Sequence, residues 1–286
     1  MKKKWLLICS LGAWLLPVHL QAQVTIDEAK PDSSRTVEVT LLNNAKYYGA
    51  ILSVQDREIE LLTSSGKTFI SLDQIRTIRV ADPDDPAYGW FPNPNQSRLF
   101  FSPNAKPMQK GTGYYQNIYV FFSNAAYAVS DHVSFSAGFS MLPGLALQNQ
   151  LYFISGKTGA AISHNKYIGA GIGIAAIPGS GETLFTGYGN YTYEMPRGNL
   201  TAGLHGFSIM EDVGKYSLLL GGDYRVSERI ALVTENYILP EDKTTILSYG
   251  LRFMGERMSF DLAFFRPGLA EDIGFGVPYV DFVFNF

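Results

Sequence analysis

The chain has 286 residues, of which 46% are hydrophobic, 14% aromatic and only 17% charged, with a formal net charge of −3. That charged fraction lies below the ~25% usual for soluble domains. Together with 17 Tyr, 19 Phe and 28 Gly it fits an all-β surface facing apolar surroundings better than an enzyme core, and the acid excess argues against nucleic acid as a partner.

The first stretch, MKKKWLLICSLGAWLLPVHLQAQ, sets Lys2, Lys3 and Lys4 before an apolar run from Trp5 to Leu16 and a small residue, Ala22, at a cleavage position. This pattern predicts a secretory signal peptide over 1–22, too short for a spanning helix. Its removal takes away the only Cys, Cys9, so neither a disulfide nor thiolate chemistry is expected in the mature chain. It also removes three Lys and no acid, which moves the net charge from −3 to −6. No later segment holds ~20 consecutive apolar residues, so no helical span is expected.

Residues 35–80 are charged and short in period. Val37, Val39 and Leu41 alternate with polar residues, Asn43-Asn44 marks a turn, and strands are predicted over Tyr48–Val54, Glu58–Leu62, Thr68–Leu72 and Gln74–Val80, with Ser65-Gly66 as a hairpin turn. The pattern G-x-I…I-x-L…G…I…I resembles a small five-stranded barrel of the Sm/SH3-like type. In an exported acidic chain that resemblance implies a docking or packing module. Next comes ADPDDPAYGWFPNPNQS, residues 81–97, whose four Pro forbid regular structure and mark a linker.

From Arg98 to Phe286 the sequence repeats alternating segments of ~10 residues split by turn residues, the signature of an antiparallel membrane β-barrel. Phe135, Ala137 and Phe139 face away from Ser134, Ser136 and Gly138. Leu218, Leu220 and Tyr224 oppose Ser217, Asp223 and Arg225; Leu247, Tyr249 and Leu251 oppose Ser248 and Arg252; Phe260 and Leu262 oppose Ser259 and Asp261. In the final VPYVDFVFNF, Val280, Phe282, Phe284 and Phe286 point one way while Asp281 and Asn285 point the other. Short turns (SDH, HNK, PRGN, SER, GER) alternate along the chain with longer ones (LPGLALQ, IPGSGE, MEDVGK, LPEDK, RPGLAEDIGFGVP). They give about eleven strands from Tyr114. A single-chain bacterial barrel takes an even number, so RLFFSP is assigned as the missing wall strand and NAKPMQKGTG as the first outer loop. The count is about twelve, with ten and fourteen as alternatives.

The signal peptide, the alternation and the terminal aromatic residue resemble outer-membrane β-barrel proteins of Gram-negative bacteria, and SRLFFSPNAKPMQKGTGYYQN resembles an uncharacterised family of such proteins. The resemblance implies a porin-like protein of the cell outer membrane, surrounded by its lipid, with the N-terminal module in the periplasm and a periplasmic protein as the partner that module would dock. It also implies that Val280, Phe282, Phe284 and Phe286 form the signal read by the barrel-assembly machinery.

By the alternation, Asp223, Arg225, Arg252, Asp261 and Asp281 face inward, and Lys157 joins them. Buried charges must pair, so these residues either brace the barrel or form a polar constriction that selects small solutes. Glu235 and Asn236 are adjacent mid-strand polars, and alternation does not say which points inward. The rival is an outer-membrane lipid hydrolase. His132 and His164 lie in turns; His205 and Ser208 differ by an odd offset and lie on opposite strand faces, which leaves His205 with a Ser from a neighbouring strand. The G-x-G-x-G of IGAGIGIAAIPGSGE has the strand period and no following helix, so it is no dinucleotide site; Gly169, Gly171 and Gly173 are expected to admit bulky lumen side chains from adjacent strands. No metal-ligand cluster is present, and no cofactor is expected. The expected function is non-enzymatic, as a structural or docking barrel or a small-solute channel.

Overall fold

The computed structural model describes residues 32–41, 46–63, 66–81, 90–91, 93–163, 165–209, 214–268 and 274–286. The expected signal peptide with Cys9, the Asn43-Asn44 turn, Ser65, most of the linker and His164 lie outside the described residues. The chain divides into two compact units, Met1–Ala81 and Asp82–Phe286.

The first unit is an antiparallel sheet of five strands, β1 (Asp32–Leu41), β2 (Lys46–Val54), β3 (Glu58–Thr63), β4 (Gly66–Ser71) and β5 (Ile75–Val80), in the order β4-β3-β2-β1-β5. A single 3-10 turn, Leu72–Gln74, links β4 to β5. Period-two alternation puts Val39, Ile59 and Leu61 wholly in the core, with Ile51, Ile70 and Ile78 around them. Glu38, on the opposite face of β1, is also buried. It receives the Tyr48 hydroxyl at 2.7 Å, Lys46 at 3.1 Å and Arg79 at 2.6 Å. Burial pushes the Glu38 carboxyl up, but Tyr48, Arg79 and Lys46 outweigh it and hold the group below its ordinary 4.5.

The second unit is a closed antiparallel barrel of twelve strands. They are β6 (Gly113–Ile118), β7 (Phe122–Ala128), β8 (Val133–Ser140), β9 (Tyr152–Ser163), β10 (Lys166–Ile177), β11 (Glu182–Met195), β12 (Gly198–Ile209), β13 (Lys215–Ser227), β14 (Ile230–Leu239), β15 (Thr244–Met254), β16 (Met258–Pro267) and β17 (Val277–Asn285). Each pairs with its sequence neighbour, and β17 closes on β6. Closure leaves no open sheet edge, so every strand can satisfy its backbone groups within the wall. Large apolar side chains such as Phe135, Ile172, Leu200, Leu218, Leu251 and Phe282 are exposed on the outside, while Ser134, Thr192, Asn199, Asp223 and Arg252 are buried within. Among the described residues no helix is long and apolar enough to cross a membrane.

The total of twelve agrees with the sequence reading, but the strands are allotted differently. Residues 113–128, read as one strand, are two: β6 and β7 turn at Tyr119 and Val120, which have φ of 52° and 70°. Turns with positive φ at both central residues ordinarily use Asn or Gly, so this apolar three-residue connection, 119–121, carries no sequence signal. RLFFSP is not part of the wall. Its backbone meets itself through the single bridge Arg98↔Pro103, with Leu99 N–H donating to Ser102 O at 2.8 Å.

Arg98–Pro103 is the tip of a hairpin inside the barrel. The incoming leg meets the rim of short turns: Arg225 donates to Phe91 O, and Asn95 donates to Ser259 near the start of β16. The returning leg, part of the expected outer loop NAKPMQKGTG, comes back to that rim, where Gly111 N–H donates to Ala128 O. The chain then enters the wall at Gly113, which exchanges backbone hydrogen bonds with Phe286. The expected linker and first outer loop therefore contribute both legs of a plug. Arg98, Leu99 and Phe100 within it are all but inaccessible.

Candidate functional site

The contact between plug and wall is the site. It begins with a row of charge across three late strands. Arg252 on β15 lies in register with Asp261 on β16, which lies in register with Asp281 on β17. Alternation turns all three inward, and none has more than 1% of its surface exposed. Arg252 grips Asp261 with two parallel bonds, Nε to Oδ1 at 2.8 Å and Nη2 to Oδ2 at 2.6 Å. The row then has two carboxylates directly opposite each other and one cation, an arrangement that repels by itself. The plug supplies the second cation: Arg98 Nη1 donates to Asp281 Oδ2 at 3.2 Å. Gln116 at 2.6 Å and the Tyr279 hydroxyl at 2.9 Å donate to the same oxygen. Arg252 Nη2 also donates to the plug carbonyl of Leu99 at 2.7 Å, so the two guanidinium groups tie the hairpin tip to the row.

Glu235 holds the tip from the other side. Alternation on β14 turns Glu235 inward, wholly buried, and leaves Asn236 on the outer face. The Glu235 carboxylate accepts three consecutive plug N–H groups: Phe100 at 2.7 Å, Phe101 at 2.9 Å and Ser102 at 3.2 Å. Tyr237 donates its hydroxyl to the same carboxylate. Three convergent backbone donors form a nest for an anion. Asn236 takes over ladder positions instead, donating to Leu220 O at 3.1 Å and accepting Ser248 N–H at 2.8 Å. Beyond the nest, Phe100 and Phe101 pack on Phe265 and Tyr279 with ring centroids 4.6–5.7 Å apart.

The early strands hold the returning leg. Asn190 Nδ2 donates to Pro103 O at 2.6 Å, Thr192 Oγ1 accepts the Ala105 N–H at 2.9 Å, and Lys106 forms an ion pair with Glu194. Lys157 donates to the plug carbonyls of Ser97 at 2.8 Å and Lys106 at 2.7 Å. Glycine sets how closely this leg lies. A side chain on Gly169 would place its Cβ 2.9 Å from Ala105 Cα, and one on Gly159 would meet Ala105 O at 2.5 Å. On the late side, a Gly221 Cβ would fall 2.5 Å from Leu99 Cδ1. The expectation that Gly169 admits a side chain from a neighbouring strand is thus corrected: it admits plug backbone. Gly171 does admit such a side chain, the Tyr188 ring at 2.5 Å from the would-be Cβ.

Of the six charged residues singled out in the sequence, Arg252 and Asp261 meet directly. Asp281 pairs with Arg98. Asp223 receives the side-chain amides of Asn199 and Asn93. Arg225 donates to Phe91 O at 2.6 Å and lies over the Trp90 and Phe91 rings at 5.0 and 5.1 Å. Lys157 holds carbonyls. Sequence reasoning missed Arg98, Lys106, Glu194 and the choice of Glu235. An available signal was the acid-rich row, which needs a cation that no neighbouring strand provides. His205 Nε2 lies 3.0 Å from Asn190 Oδ1, an amide where a hydrolase would need a serine hydroxyl. Val280, Phe282, Phe284 and Phe286 line the outer face of β17 and its end. Among the described residues no group of three His, Cys, Asp or Glu is placed to hold a metal.

No family model and no curated protein matches the sequence. Among solved structures, the KdgM porin overlaps 61% of this chain and 96% of its own at 7% identity and a TM-score of 0.46. The outer membrane protein Omp33 of Acinetobacter baumannii overlaps 61% and 95% at 9% identity and a TM-score of 0.32. OmpT, an outer membrane protein of Vibrio cholerae, overlaps 88% and 93% at 10% identity and a TM-score of 0.32. The architecture described above rests on the strand pairing, and these overlaps assign no function.

Proposed function

We propose that this chain is a non-enzymatic β-barrel protein of the bacterial outer membrane whose lumen is held closed by its own segment 93–107, and that its role is structural or docking. The observation that carries this reading is the fit of plug to wall: three plug N–H groups on Glu235, Arg98 on Asp281, and glycines where the plug backbone lies closest. The exposed apolar belt of the wall supports lipid as its surroundings, because water would penalise a continuous band of Phe, Leu and Ile. Longer loops on one rim and short turns on the other support the reading that the short-turn rim faces the periplasm. Residues 35–80 are read as a periplasmic Sm/SH3-like module: the sheet order and the 3-10 turn before β5 support the resemblance, and a periplasmic protein is the partner it would dock. The outward aromatics of β17 are the surface offered to the barrel-assembly machinery.

The lumen charges are read as braces for the plug, in preference to a selective constriction in a standing channel. The hydrolase reading gains no support from the Asn190 partner of His205. The purified full chain in planar bilayers is expected to be silent in potassium and sodium salts. Steady conductance steps from the unmodified protein would overturn the closed-barrel reading.

A further inference from the structure

The plug and the wall carry opposite charge. The lumen-facing wall residues named above comprise five acids, Glu194, Asp223, Glu235, Asp261 and Asp281, against three cations, Lys157, Arg225 and Arg252. The plug, NPNQSRLFFSPNAKP over 93–107, contains two cations, Arg98 and Lys106, and no acid. Each plug cation sits on a wall acid, Asp281 and Glu194 respectively. The hairpin also enters and leaves by the same rim, so withdrawing it toward that rim threads no loop and breaks no wall pairing. Its ties are hydrogen bonds, two ion pairs and aromatic contacts, and none belongs to the barrel ladder.

From these observations we infer that segment 93–107 is a displaceable plug, and that the lumen it leaves is an acidic, cation-selective pore. The inference rests on the closed-barrel reading and adds to it a second, open state. With the plug out, the two Asp side chains in register on β16 and β17 face water with a single Arg, Arg252, beside Asp261, and Glu235 loses its three plug donors. An acid-lined constriction admits cations and repels anions. The same chemistry makes the lumen a binding site for a hairpin segment with two cations about eight residues apart, which is the spacing of Arg98 and Lys106.

The test uses the full chain in planar bilayers under a potassium chloride gradient. The double variant Arg98→Glu/Lys106→Glu, which turns both plug cations against the wall, is expected to give discrete steps whose reversal potential shifts toward the potassium equilibrium potential. A synthetic peptide of residues 93–107, added at the short-turn rim, is expected to remove that current, and the same peptide with both cations changed to Glu to leave it. If the double variant does not fold, the unmodified protein serves instead: urea at the short-turn rim, below the concentration that unfolds the barrel by circular dichroism, is expected to produce the same cation-selective steps. A folded variant that stays silent, with urea also producing no steps, overturns the displaceable plug. Steps without cation preference overturn the acidic pore and leave the closed barrel standing. Steps from the untreated, unmodified protein overturn the closed barrel itself.

Discussion

Both units of this chain bury carboxylates, and they satisfy them by opposite means. In the N-terminal sheet, Glu38 is met by the long side chains of Lys46 and Arg79, which keep 18% and 58% of their surface in solvent. In the lumen, Asp261 and its partner Arg252 have no solvent at all, and Glu235 is satisfied by main chain. A screened, flexible cluster loses little when one member goes, because water and salt take its place. A buried pair that loses one member leaves an uncompensated charge. The lumen is therefore the region where single substitutions should register most strongly, and the sheet the region where pH should.

The sharpest break is Arg252→Ala. It strands Asp261 and Asp281 in register with Arg98, on Asp281, as the one cation left to the row, and removes the Nη2 donor to Leu99 O. The expected cost is about 3–5 kcal/mol, read as a lower melting transition of the barrel in detergent micelles. An unchanged transition would show that the row is not held by Arg252. Next is Glu235→Ala, which leaves the N–H groups of Phe100, Phe101 and Ser102 buried and unpaired. A loss of roughly 2–3 kcal/mol is expected. Glu235→Gln keeps an acceptor oxygen and should lose less, so equal losses in the two variants would argue against the nest.

A third change leaves every charge in place. Gly169→Val puts side-chain atoms where the plug backbone passes, 2.9 Å from Ala105 Cα at the Cβ alone. Overpacking costs about 1–3 kcal/mol, and here the strain is shared between the plug at Ala105 and the β9 carbonyl of Thr158, 3.0 Å from the same Cβ. The expected readout is faster proteolysis within 93–107 while the wall's circular dichroism is retained. Protection equal to that of the unmodified protein would mean that the returning leg has room to spare.

The faces of the wall strands were legible because an apolar exterior and a polar interior impose a period of two over many residues, as in Val133–Ser140 or Met258–Pro267. The inward direction of Asp223, Arg225, Arg252, Asp261 and Asp281 follows from that period alone. Three features were not legible, each for a physical reason. Tyr119 and Val120 turn with positive φ without Gly or Asn, so two strands read as one. Glu235 and Asn236 are adjacent and both polar, so the period is silent about them. The plug has no period, because its backbone is satisfied by wall side chains instead of a ladder; Pro and Asn at 92–95 mark a linker whether the chain passes through solvent or through a lumen.

The smallest expected effect lies in the sheet and comes from protons. The Glu38 carboxyl titrates below its ordinary 4.5 in the folded sheet. It thus contributes stability above the unfolded carboxylate value and loses it as pH falls through the depressed folded value. Because Lys46 and Arg79 are partly solvated, the contribution is screened and amounts to less than ~1 kcal/mol. Hydrogen exchange of β1 peptides, corrected for the intrinsic effect of pH, is expected to speed up progressively below pH 4.5 in the unmodified chain, and Glu38→Gln to flatten part of that dependence. It should not flatten all of it, since the Lys67 hydrogen bond, against a weaker opposing effect of burial, holds Glu60 below its ordinary value as well. A Glu38→Gln variant with an unaltered acid profile would place the acid sensitivity of the sheet elsewhere, and would remove the contrast between a solvent-coupled carboxylate in one unit and sealed ones in the other.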